Sequence, residues 1–239
     1  MTRTHVVTGA GSGIGRALAA RLADRGDRLV LPVRSAERAA QVQAEFGPEH
    51  LVVVLDLADP DACASGLAAL VDSLTSAGWS VDSLVHSAGV VDLADVADFD
   101  QATWGAQIQV NLTAPAALTG ALLPFLRRAR GSVVFVNSTS GLVANPTWGA
   151  YAASKHGLRG LADSLRAEEA RHGVRVTSVF PSRTATEMQA KVHAQEERDY
   201  HAEVWMRPES VAASLLHVLD LPVDATITEL TIRTSPSPS

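Results

Sequence analysis

The chain lacks a second cysteine and any long apolar run, and each absence excludes some classes of protein. Cys63 is the only cysteine, so the chain forms no internal disulfide and no thiolate metal cluster, and a reducing cytoplasm is the simplest setting. No apolar run reaches the roughly 18 residues of a membrane span. The first residues lead directly into a strand-like segment, which leaves no room for a signal peptide. We therefore expect a cytoplasmic protein without a membrane partner.

An excess of basic residues is also missing. The formal net charge is -6 at pH 7, which argues against broad nucleic-acid binding. Three arginines occur together at Arg127, Arg128 and Arg130, but they fall at the end of a predicted helix, where cations interact favourably with the helix dipole. The histidines do not show metal-ligand spacing such as His-Glu-x-x-His. We expect neither a nucleic-acid partner nor a bound metal.

What the chain does have is a regular alternation of short apolar segments with segments of helical spacing. Ile14, Leu18 and Leu22, for example, form one apolar stripe after the first strand. Fully apolar strands that alternate with helices predict a doubly wound, Rossmann-type α/β fold with a parallel sheet of about seven strands. The strands are expected at His5–Val7, Leu29–Val33, Leu51–Leu55, Ser83–His86, Val133–Val136, Val174–Phe180 and Ile227–Ile232. We expect one domain over residues 1–234 and a flexible tail over residues 235–239.

A glycine-rich turn follows the first predicted strand. Residues 8–15 read Thr-Gly-Ala-Gly-Ser-Gly-Ile-Gly, and a helix is predicted directly after them. Without Cβ atoms the backbone can turn tightly and approach a pyrophosphate, and the helix N-terminus can direct free N–H groups at the anion. Since Gly-Lys-Ser/Thr does not end the segment, a P-loop is excluded. The alternative is a turn that only packs tightly.

The second chemical signature is Tyr151-Ala-Ala-Ser-Lys155, which places a phenol and an ammonium group on the same face of a predicted helix. A tyrosine has an ordinary pKa near about 10 and is a poor base at neutral pH. A neighbouring cation favours the phenolate, so we expect Lys155 to lower the pKa of Tyr151 into the range of an acid/base catalyst. On its own this spacing is common in surface helices.

Taken together and in this order, these motifs resemble the short-chain dehydrogenase/reductase family, in its subgroup of about 250 residues, over nearly the whole chain. The resemblance implies a catalytic set of Asn111, Ser138, Tyr151 and Lys155. It also implies a nicotinamide dinucleotide cofactor. The positions expected to contact that cofactor are Gly9, Gly11, Ser12, Gly13, Ile14, Gly15, Asp56, Leu57, Ser87, Ala88, Gly89, Tyr151, Lys155, Pro181, Thr184 and Thr186.

The expected roles follow from the chemistry of each group. Tyr151 donates a proton to a carbonyl or takes one from an alcohol, and Lys155, as in the family, also holds the nicotinamide ribose. Ser138 donates a hydrogen bond to the developing alkoxide, although the residues alone do not separate it from Ser140. Asn111 anchors a water in a proton relay, or it simply marks a bend inside a helix.

Cofactor choice depends on the end of the second strand. The position at which an acidic residue would favour NAD is Val33, and Arg34 follows it. A guanidinium can pair with the 2′-phosphate of NADP, so we expect NADP(H) to be favoured over NAD(H). Ser12 weakens this case because many NADP-dependent relatives carry a second basic residue there. The alternative for Arg34 is an exposed residue that opens the next helix.

Three positions depart from the family pattern. Ser87 replaces an asparagine whose amide steadies neighbouring strands, and we expect its hydroxyl to make only part of those bonds. Ser182 and Thr184 replace glycine and valine in the segment that meets the nicotinamide, where we expect adjusted geometry with binding retained. The substrate pocket is expected between Val90-Val91, residues 142–148 and the segment from Glu187 to about Met206.

Three functions are compatible with these residues. The first is an NADP(H)-dependent oxidoreductase acting on a small ketone, aldehyde or secondary alcohol, with an NAD-dependent alcohol dehydrogenase as its variant. The second is a non-catalytic dinucleotide-sensing regulator on the same fold, and the third is a nucleotide-sugar dehydratase or epimerase. The Tyr/Lys pair favours the enzyme over the regulator, and the short C-terminal region disfavours the third.

Assembly is predicted from two helices rich in small residues, at Gln101–Ala129 and Tyr151–His172. Relatives usually associate through these helices, and small side chains such as Ala152 and Gly160 permit close approach. We expect a homodimer or a homotetramer. A light-scattering mass equal to one 25.1 kDa chain would contradict this.

Overall fold

The computed structural model describes residues 2–235, and it shows one seven-stranded sheet in which every pairing is parallel. The strands are β1 Thr4–Thr8, β2 Arg28–Val33, β3 Leu51–Val54, β4 Ser83–His86, β5 Ser132–Val136, β6 Arg175–Pro181 and β7 Glu229–Ile232. Their order across the sheet is β3-β2-β1-β4-β5-β6-β7. This confirms the predicted doubly wound Rossmann-type fold. The proposed single-domain boundary at residue 234 stays a prediction, and of the expected flexible tail residues 236–239 lie outside the described residues.

Eight α-helices connect the strands within the described residues. They are α1 Gly13–Asp24, α2 Ala36–Phe46, α3 Pro60–Ser76, α4 Gln101–Ile108, α5 Ala114–Ala129, α6 Gly149–Glu169, α7 Glu187–Gln195 and α8 Pro208–Leu219. Several begin at side-chain caps: the Asp59 carboxylate accepts from the amides of residues 61 and 62 at the start of α3, and the Thr186 hydroxyl accepts from the Gln189 amide at the start of α7. Such caps fix where each strand-to-helix connection ends.

The core consists of two layers, one on each face of the sheet. On one face Leu70, Leu122 and Leu158, from α3, α5 and α6, pack against β-strand residues such as Val133. On the other face α1, α2 and α8 contribute residues such as Leu18. Because both faces are covered, the central strands are buried at every position, as in β1 and β5.

The helical stretch Gln101–Ala129 is not one regular α-helix. Residues Gln109–Thr113 form a π-helical segment between α4 and α5, and such insertions often occur at functional sites. The whole stretch is long and apolar enough, by length and composition, to cross a membrane. However, Leu118, Leu122, Phe125 and Leu126 of α5 are buried in the core of this protein. Packing against the sheet therefore accounts for the hydropathy of this stretch.

The order of the strands determines where a site can form. The chain runs outward from β1 to β3 and then returns to place β4 on the other side of β1, with His5 paired to Ser83 and Thr8 to His86. The connections after β1 and β4 consequently leave the sheet in opposite directions, and a crevice opens at the carboxyl ends of these strands. The predicted functional segments, including Arg34 between β2 and α2, follow the carboxyl end of a strand or lie on the helices beside it.

Candidate active site

The glycine turn after β1 is shaped by direct backbone contacts. Gly9 has a φ of +71°, and a Cβ added there would lie 2.8 Å from the backbone nitrogen of Ala88. A Cβ at Gly15 would lie 2.5 Å from the carbonyl oxygen of Gly9. Two of the predicted glycines are thus required by close approach of backbone to backbone. Because no side chain fills the turn, its backbone can approach a bound pyrophosphate closely.

The start of α1 has unused hydrogen-bond donors. Ser12 is the N-cap residue, but its side chain makes no capping hydrogen bond, and the first turn holds no acidic residue. The first N–H groups of a helix have no partner inside it, and the helix dipole makes this end attractive to anions. Gly13, with a φ of +53°, faces the methyl group of Thr186, 3.1 Å from where its Cβ would be. The turn and the start of α7 are therefore the two walls of a site suited to a dinucleotide phosphate.

Thr8 joins the turn to the connection after β4. Its hydroxyl oxygen accepts hydrogen bonds from the backbone nitrogens of Ser87 and Ala88, both at 3.1 Å. The sequence assigned this steadying role in part to the Ser87 hydroxyl, whereas the contacts that hold Ser87 in place come from Thr8. The sequence did not predict this contact of Thr8, because β4 becomes the neighbour of β1 only when the chain crosses over the sheet.

Tyr151 lies in the first turn of α6 and is only 7% exposed. Burial raises the pKa of Tyr151 to about 12, and hydrogen bonding to the neighbouring Ser138 side chain lowers the pKa by a smaller amount. The expected lowering of the Tyr151 pKa is therefore wrong for the protein by itself. The reason is that desolvation of the phenolate outweighs every nearby favourable group. In this state the phenol is protonated at neutral pH.

Ser138 and Ser140, which the sequence left unresolved, occupy different environments. The Ser138 side chain interacts with the Tyr151 phenol, and its hydroxyl also accepts a hydrogen bond from the Ser140 backbone nitrogen at 3.1 Å. Ser140 is 6% exposed and sits in a short 3-10 turn capped by Ser138. The structure thus brings Ser138 to the tyrosine.

Lys155 is also buried, with 3% exposure. Its ammonium donates to the Val136 carbonyl oxygen at 3.1 Å and lies 5.7 Å from the centre of the Tyr151 ring. Burial lowers the pKa of Lys155 to about 8. The lysine thus lies beside the tyrosine as the spacing predicted, and its own charge is lost in the mildly alkaline range.

Asn111 lies in the π-helical segment and is 1% exposed. Its amide oxygen accepts from the Val90 backbone nitrogen and its amide nitrogen donates to the Val90 carbonyl, each at 2.9 Å. It also donates to the Ser154 hydroxyl at 3.1 Å. Asn111 thus marks a helix irregularity, and its bond to Ser154 places it beside the helix that carries Tyr151 and Lys155. Its side chain is engaged with the Val90 backbone and with Ser154, and its part in a water relay stays a prediction.

A cavity of about 180 Å³ brings most of the predicted residues together. Its lining includes the catalytic candidates Ser138, Tyr151 and Lys155. The cofactor-binding candidates that line it are Ile14, Ser87, Ala88, Gly89, Pro181, Thr184 and Thr186. Gly9, Gly11, Ser12, Gly13 and Gly15 lie in the adjoining turn, whereas Asn111 stands behind the cavity wall. Ser182 and Thr184, which depart from the family pattern, both line the cavity.

The remaining cofactor candidates lie further along the sheet edge. Asp56 accepts a hydrogen bond from the Ala58 backbone nitrogen at 2.9 Å, and the Leu57 carbonyl accepts from the Gln109 side chain at 3.2 Å. Arg34 is exposed just after β2. These three residues sit apart from the catalytic cavity, as the adenosine end of an extended dinucleotide would require.

Arg38 is a candidate cofactor-binding residue that the sequence did not predict. Its side chain lies over the glycine turn, with Cδ 3.3 Å and Cζ 3.6 Å from the position of a Cβ on Gly11. The Arg38 backbone nitrogen donates to the Ser35 hydroxyl that caps α2, so the residue belongs to the first turn of that helix. An arginine four residues after Arg34 was the only available signal, and it does not reveal a contact with a turn that precedes it by 27 positions in the chain.

The reactive end of the cavity is apolar. Val91, Val192, Met188 and Trp148 pack around the Tyr151 ring, and the Trp148 indole meets that ring edge to face at 5.6 Å. The prediction that residues near 90, 142–148 and 187–206 frame a pocket agrees with this lining. Trp205 instead packs against His193. Within residues 2–235, groups of three or more His, Cys, Asp or Glu side chains that could hold a metal ion do not occur.

Comparison with known proteins gives a consistent result. The family model described as short chain dehydrogenase matches residues 3–197. An uncharacterised oxidoreductase of Staphylococcus epidermidis is 29% identical over 232 residues, covering 97% of this chain and 96% of that protein. The D-beta-hydroxybutyrate dehydrogenase of Rhizobium meliloti is 34% identical over 197 residues, covering 80% of this chain and 75% of that protein. The X-ray structure of an alcohol dehydrogenase from the archaeon Thermococcus sibiricus, complexed with 5-hydroxy-NADP, superposes with a TM-score of 0.85 at 25% identity over 100% of both chains.

Proposed function

Since this chain belongs to the short-chain dehydrogenase family and is an oxidoreductase of the NAD(P)-dependent kind, we propose that it transfers a hydride between NADP(H) and a ketone, aldehyde or secondary alcohol. Tyr151 is the proton donor in reduction and the proton acceptor in oxidation. The observation that carries the proposal is that Tyr151, Ser138 and Lys155 line one cavity together with Ile14 at the end of the glycine turn and with residues of the segment after β6.

Different residues of the site are proposed to bind the cofactor, to transfer the proton and to orient the substrate. The free N–H groups at the start of α1 would hold the pyrophosphate, and residues of the segment from Pro181 to Thr186 would hold the nicotinamide end, which when bound would supply or accept the hydride. Tyr151 holds its proton at neutral pH because burial raises its pKa to about 12, so in the protein alone it is set up as a proton donor. Ser138 aligns the phenol and donates to the substrate oxygen, and Lys155 holds the ribose.

Asn111 is proposed as a positioning residue of this site. Its two hydrogen bonds with the backbone of Val90 fix the connection after β4, which carries Ala88 and Gly89 past the cavity. Its backbone carbonyl belongs to a π-helical segment, an irregularity that often occurs at functional sites. A proton relay through that water is the role proposed for it.

A spectrophotometric screen tests the proposal. NADPH oxidation is followed with ketones, quinones, keto-esters and acyl thioesters, and NADP reduction is followed with secondary alcohols. Cofactor-dependent turnover of at least one carbonyl or alcohol is the expected result. A protein that binds NADPH but turns over none of them would instead fit the dinucleotide-sensing regulator.

NADP(H) is proposed over NAD(H) because two unpaired cations flank the adenosine end of the site. In the described part of the chain Arg34 and Arg38 form no ion pair, whereas Arg16 on the neighbouring helix is neutralised by Glu45 at 2.6 Å. Val33 provides no carboxylate for the ribose hydroxyls. Arg38 over Gly11 offers the second basic group that Ser12 does not provide.

Replacing Arg34 or Arg38 by alanine is expected to weaken NADPH binding by about tenfold or more each, since a charge-assisted hydrogen bond to a phosphate contributes roughly 1.5–3 kcal/mol. NADH binding should change by less than about twofold, because NADH lacks the 2′-phosphate. Dissociation constants from fluorescence titration measure both effects without turnover. Arg21→Ala, an exposed arginine in the last turn of α1 without a predicted phosphate contact, serves as control. Equal losses for the two cofactors would contradict the assignment.

The pH profile of carbonyl reduction is expected to follow Lys155. Its pKa is lowered to about 8, so the ammonium is present below about pH 8 and is lost above it, while Tyr151 stays protonated throughout. The kcat/KM for reduction should therefore be level between pH 6 and about 7.5 and fall above about 8. Lys155→Arg keeps a charge at all these pH values and should flatten the alkaline limb at a lower overall rate. A profile that rises with pH in the reductive direction would contradict this.

Homo-oligomerisation and a cytoplasmic location remain proposals for this protein. The first is supported by small residues exposed on α5 and α6, such as Gly120 and Gly160, and the second by the family to which the chain belongs.

A further inference from the structure

The catalytic cavity opens into a second, larger space. The inner cavity around Tyr151 measures about 180 Å³ and the outer one about 620 Å³. Asn145, Trp148 and Arg183 line both, so they form the neck between them. The part of a substrate that extends from the inner cavity into the outer one would lie beside these three side chains.

Arg183 is the cation of this neck, and both of its terminal nitrogens donate to Glu196. The two terminal nitrogens of the guanidinium donate to the two carboxylate oxygens of Glu196 at 2.8 and 2.6 Å. The side chains are only 28% and 15% exposed, so water screens the pair poorly. Hydrogen bonding from Arg183 lowers the pKa of Glu196, and the carboxylate therefore stays ionised at neutral pH.

Two indole rings fix the position of the guanidinium. The Arg183 Cζ lies 5.9 Å from the ring centre of Trp148 and 5.5 Å from that of Trp205, within the range of cation–π contact. A substrate anion therefore meets an arginine that is already bidentate with a carboxylate and lies in contact with two indole rings. To use it, the anion must displace Glu196 or accept a position next to a second negative charge.

The other charges of the two cavities do not change this balance. In the outer cavity Asp95 and Glu196 stand against Arg183 and Arg198. In the inner cavity the second cation is Lys155, whose ammonium donates to the Val136 carbonyl and is proposed to hold the ribose. The apolar walls around the Tyr151 ring are Val91, Val192 and Met188. Of the two cations in the inner lining, Arg183 is paired with Glu196 and Lys155 is proposed to hold the ribose, whereas Arg198 lines only the outer cavity.

Building on the proposed function, we infer that the site takes uncharged carbonyl or alcohol substrates and rejects those with a carboxylate next to the reacting group, and that Glu196 enforces this by occupying Arg183. Discrimination of this kind uses repulsion as well as fit. Glu196 is thus a specificity residue for the charge of the substrate, located at the end of α7 and outside the catalytic set.

Two substrates with the same carbon skeleton test the inference. The kcat/KM for methyl acetoacetate and for acetoacetate is measured with saturating NADPH in the wild type, in Glu196→Gln and in Glu197→Gln. We expect the wild type to prefer the ester by about tenfold or more, as like-charge juxtaposition in a partly buried site requires. Glu196→Gln leaves Arg183 with an uncompensated charge, so the ester-to-acid ratio should fall by about tenfold, through faster use of the acid.

Glu197→Gln is the matched control because it removes the same charge one residue further on, from an exposed side chain. It should keep the wild-type ratio. A wild type that uses the acid as well as the ester overturns the inference, and so does a Glu196→Gln variant whose ratio stays within about twofold of the wild type.

A binding measurement separates this inference from the proposed function. Calorimetric titration of the NADP-saturated protein with butyramide and with butyrate needs no turnover. We expect the wild type to bind the amide more tightly and Glu196→Gln to bind the carboxylate more tightly. Loss of all ketone turnover would overturn the proposed function alone, whereas tighter butyrate binding by the wild type would overturn the role of Glu196 alone.

Discussion

Tyr151→Phe is expected to lower kcat by roughly a thousandfold or more, because it removes the group that transfers the proton, and general acid catalysis contributes about 10²–10⁴ in rate. The phenyl ring keeps the contacts with Trp148 and with the apolar side chains around it. NADPH affinity should therefore change by less than about threefold, since the cofactor loses at most one weak hydrogen bond. Steady-state kinetics and fluorescence titration of the same preparation measure the two effects.

Tyr200→Phe is the natural control, because Tyr200 is the second of the two tyrosines. It packs against His193 at 5.2 Å and should retain nearly full activity. Substantial turnover in Tyr151→Phe, or an equal loss in both variants, would remove Tyr151 from the proposed mechanism.

Ser138→Ala is expected to lower kcat by about 10²–10³, the usual effect of deleting a hydrogen-bond donor to a developing oxyanion. The variant also removes the side chain that hydrogen-bonds towards Tyr151. Since that interaction lowers the pKa of Tyr151, its loss should raise the pKa further and slow alcohol oxidation, which needs the phenolate, more than carbonyl reduction. Rates in both directions, measured at several pH values, check this.

Ser140→Ala separates the two serines that the sequence could not. Ser140 donates to Ser138 through its backbone nitrogen, and an alanine keeps that bond. We expect its kcat to fall by less than about fivefold, because the hydrogen bond to Ser138 is retained. If Ser140→Ala proved to be the more damaging of the two changes, the assignment of Ser138 would be wrong.

The fold could be predicted from the sequence because a parallel, doubly wound sheet imposes a simple local pattern. Strands covered on both faces are apolar throughout, and β4, expected at Ser83–His86, was predicted to the residue. The predicted strand at Ile227–Ile232 was less exact, since β7 pairs only from Glu229. β7 lies at the edge of the sheet and pairs only with β6, so its apolar pattern alone does not show where the pairing begins. The expected helix at Gln101–Ala129 is interrupted by the π-helical segment Gln109–Thr113. Hydropathy indicates which face of a helix is buried, but it does not indicate an extra residue within one turn.

The parts of the candidate site that could be predicted are those formed by short sequence motifs. The glycine turn and the Tyr/Lys pair each lie within a few residues, so backbone geometry alone sets their internal spacing. Their convergence on one cavity, with Ser138 beside Tyr151, agrees with the resemblance that the ordered motifs gave. The choice of Ser138 over Ser140 required the structure, because neighbouring positions in a turn face different ways.

Sequence by itself determined the alternation of strands and helices, the glycine turn and the identity of the chemical groups, because these depend on contacts between residues close together in the chain. Only the tertiary structure decided the pKa of Tyr151, the clamp of Thr8 on Ser87, the contact of Arg38 with the glycine turn and the pairing of Arg183 with Glu196. Each of these depends on burial or on a partner brought near by a crossover. Desolvation and charge pairing act through space, so a side chain acquires its electrostatic properties only when the chain has folded around it.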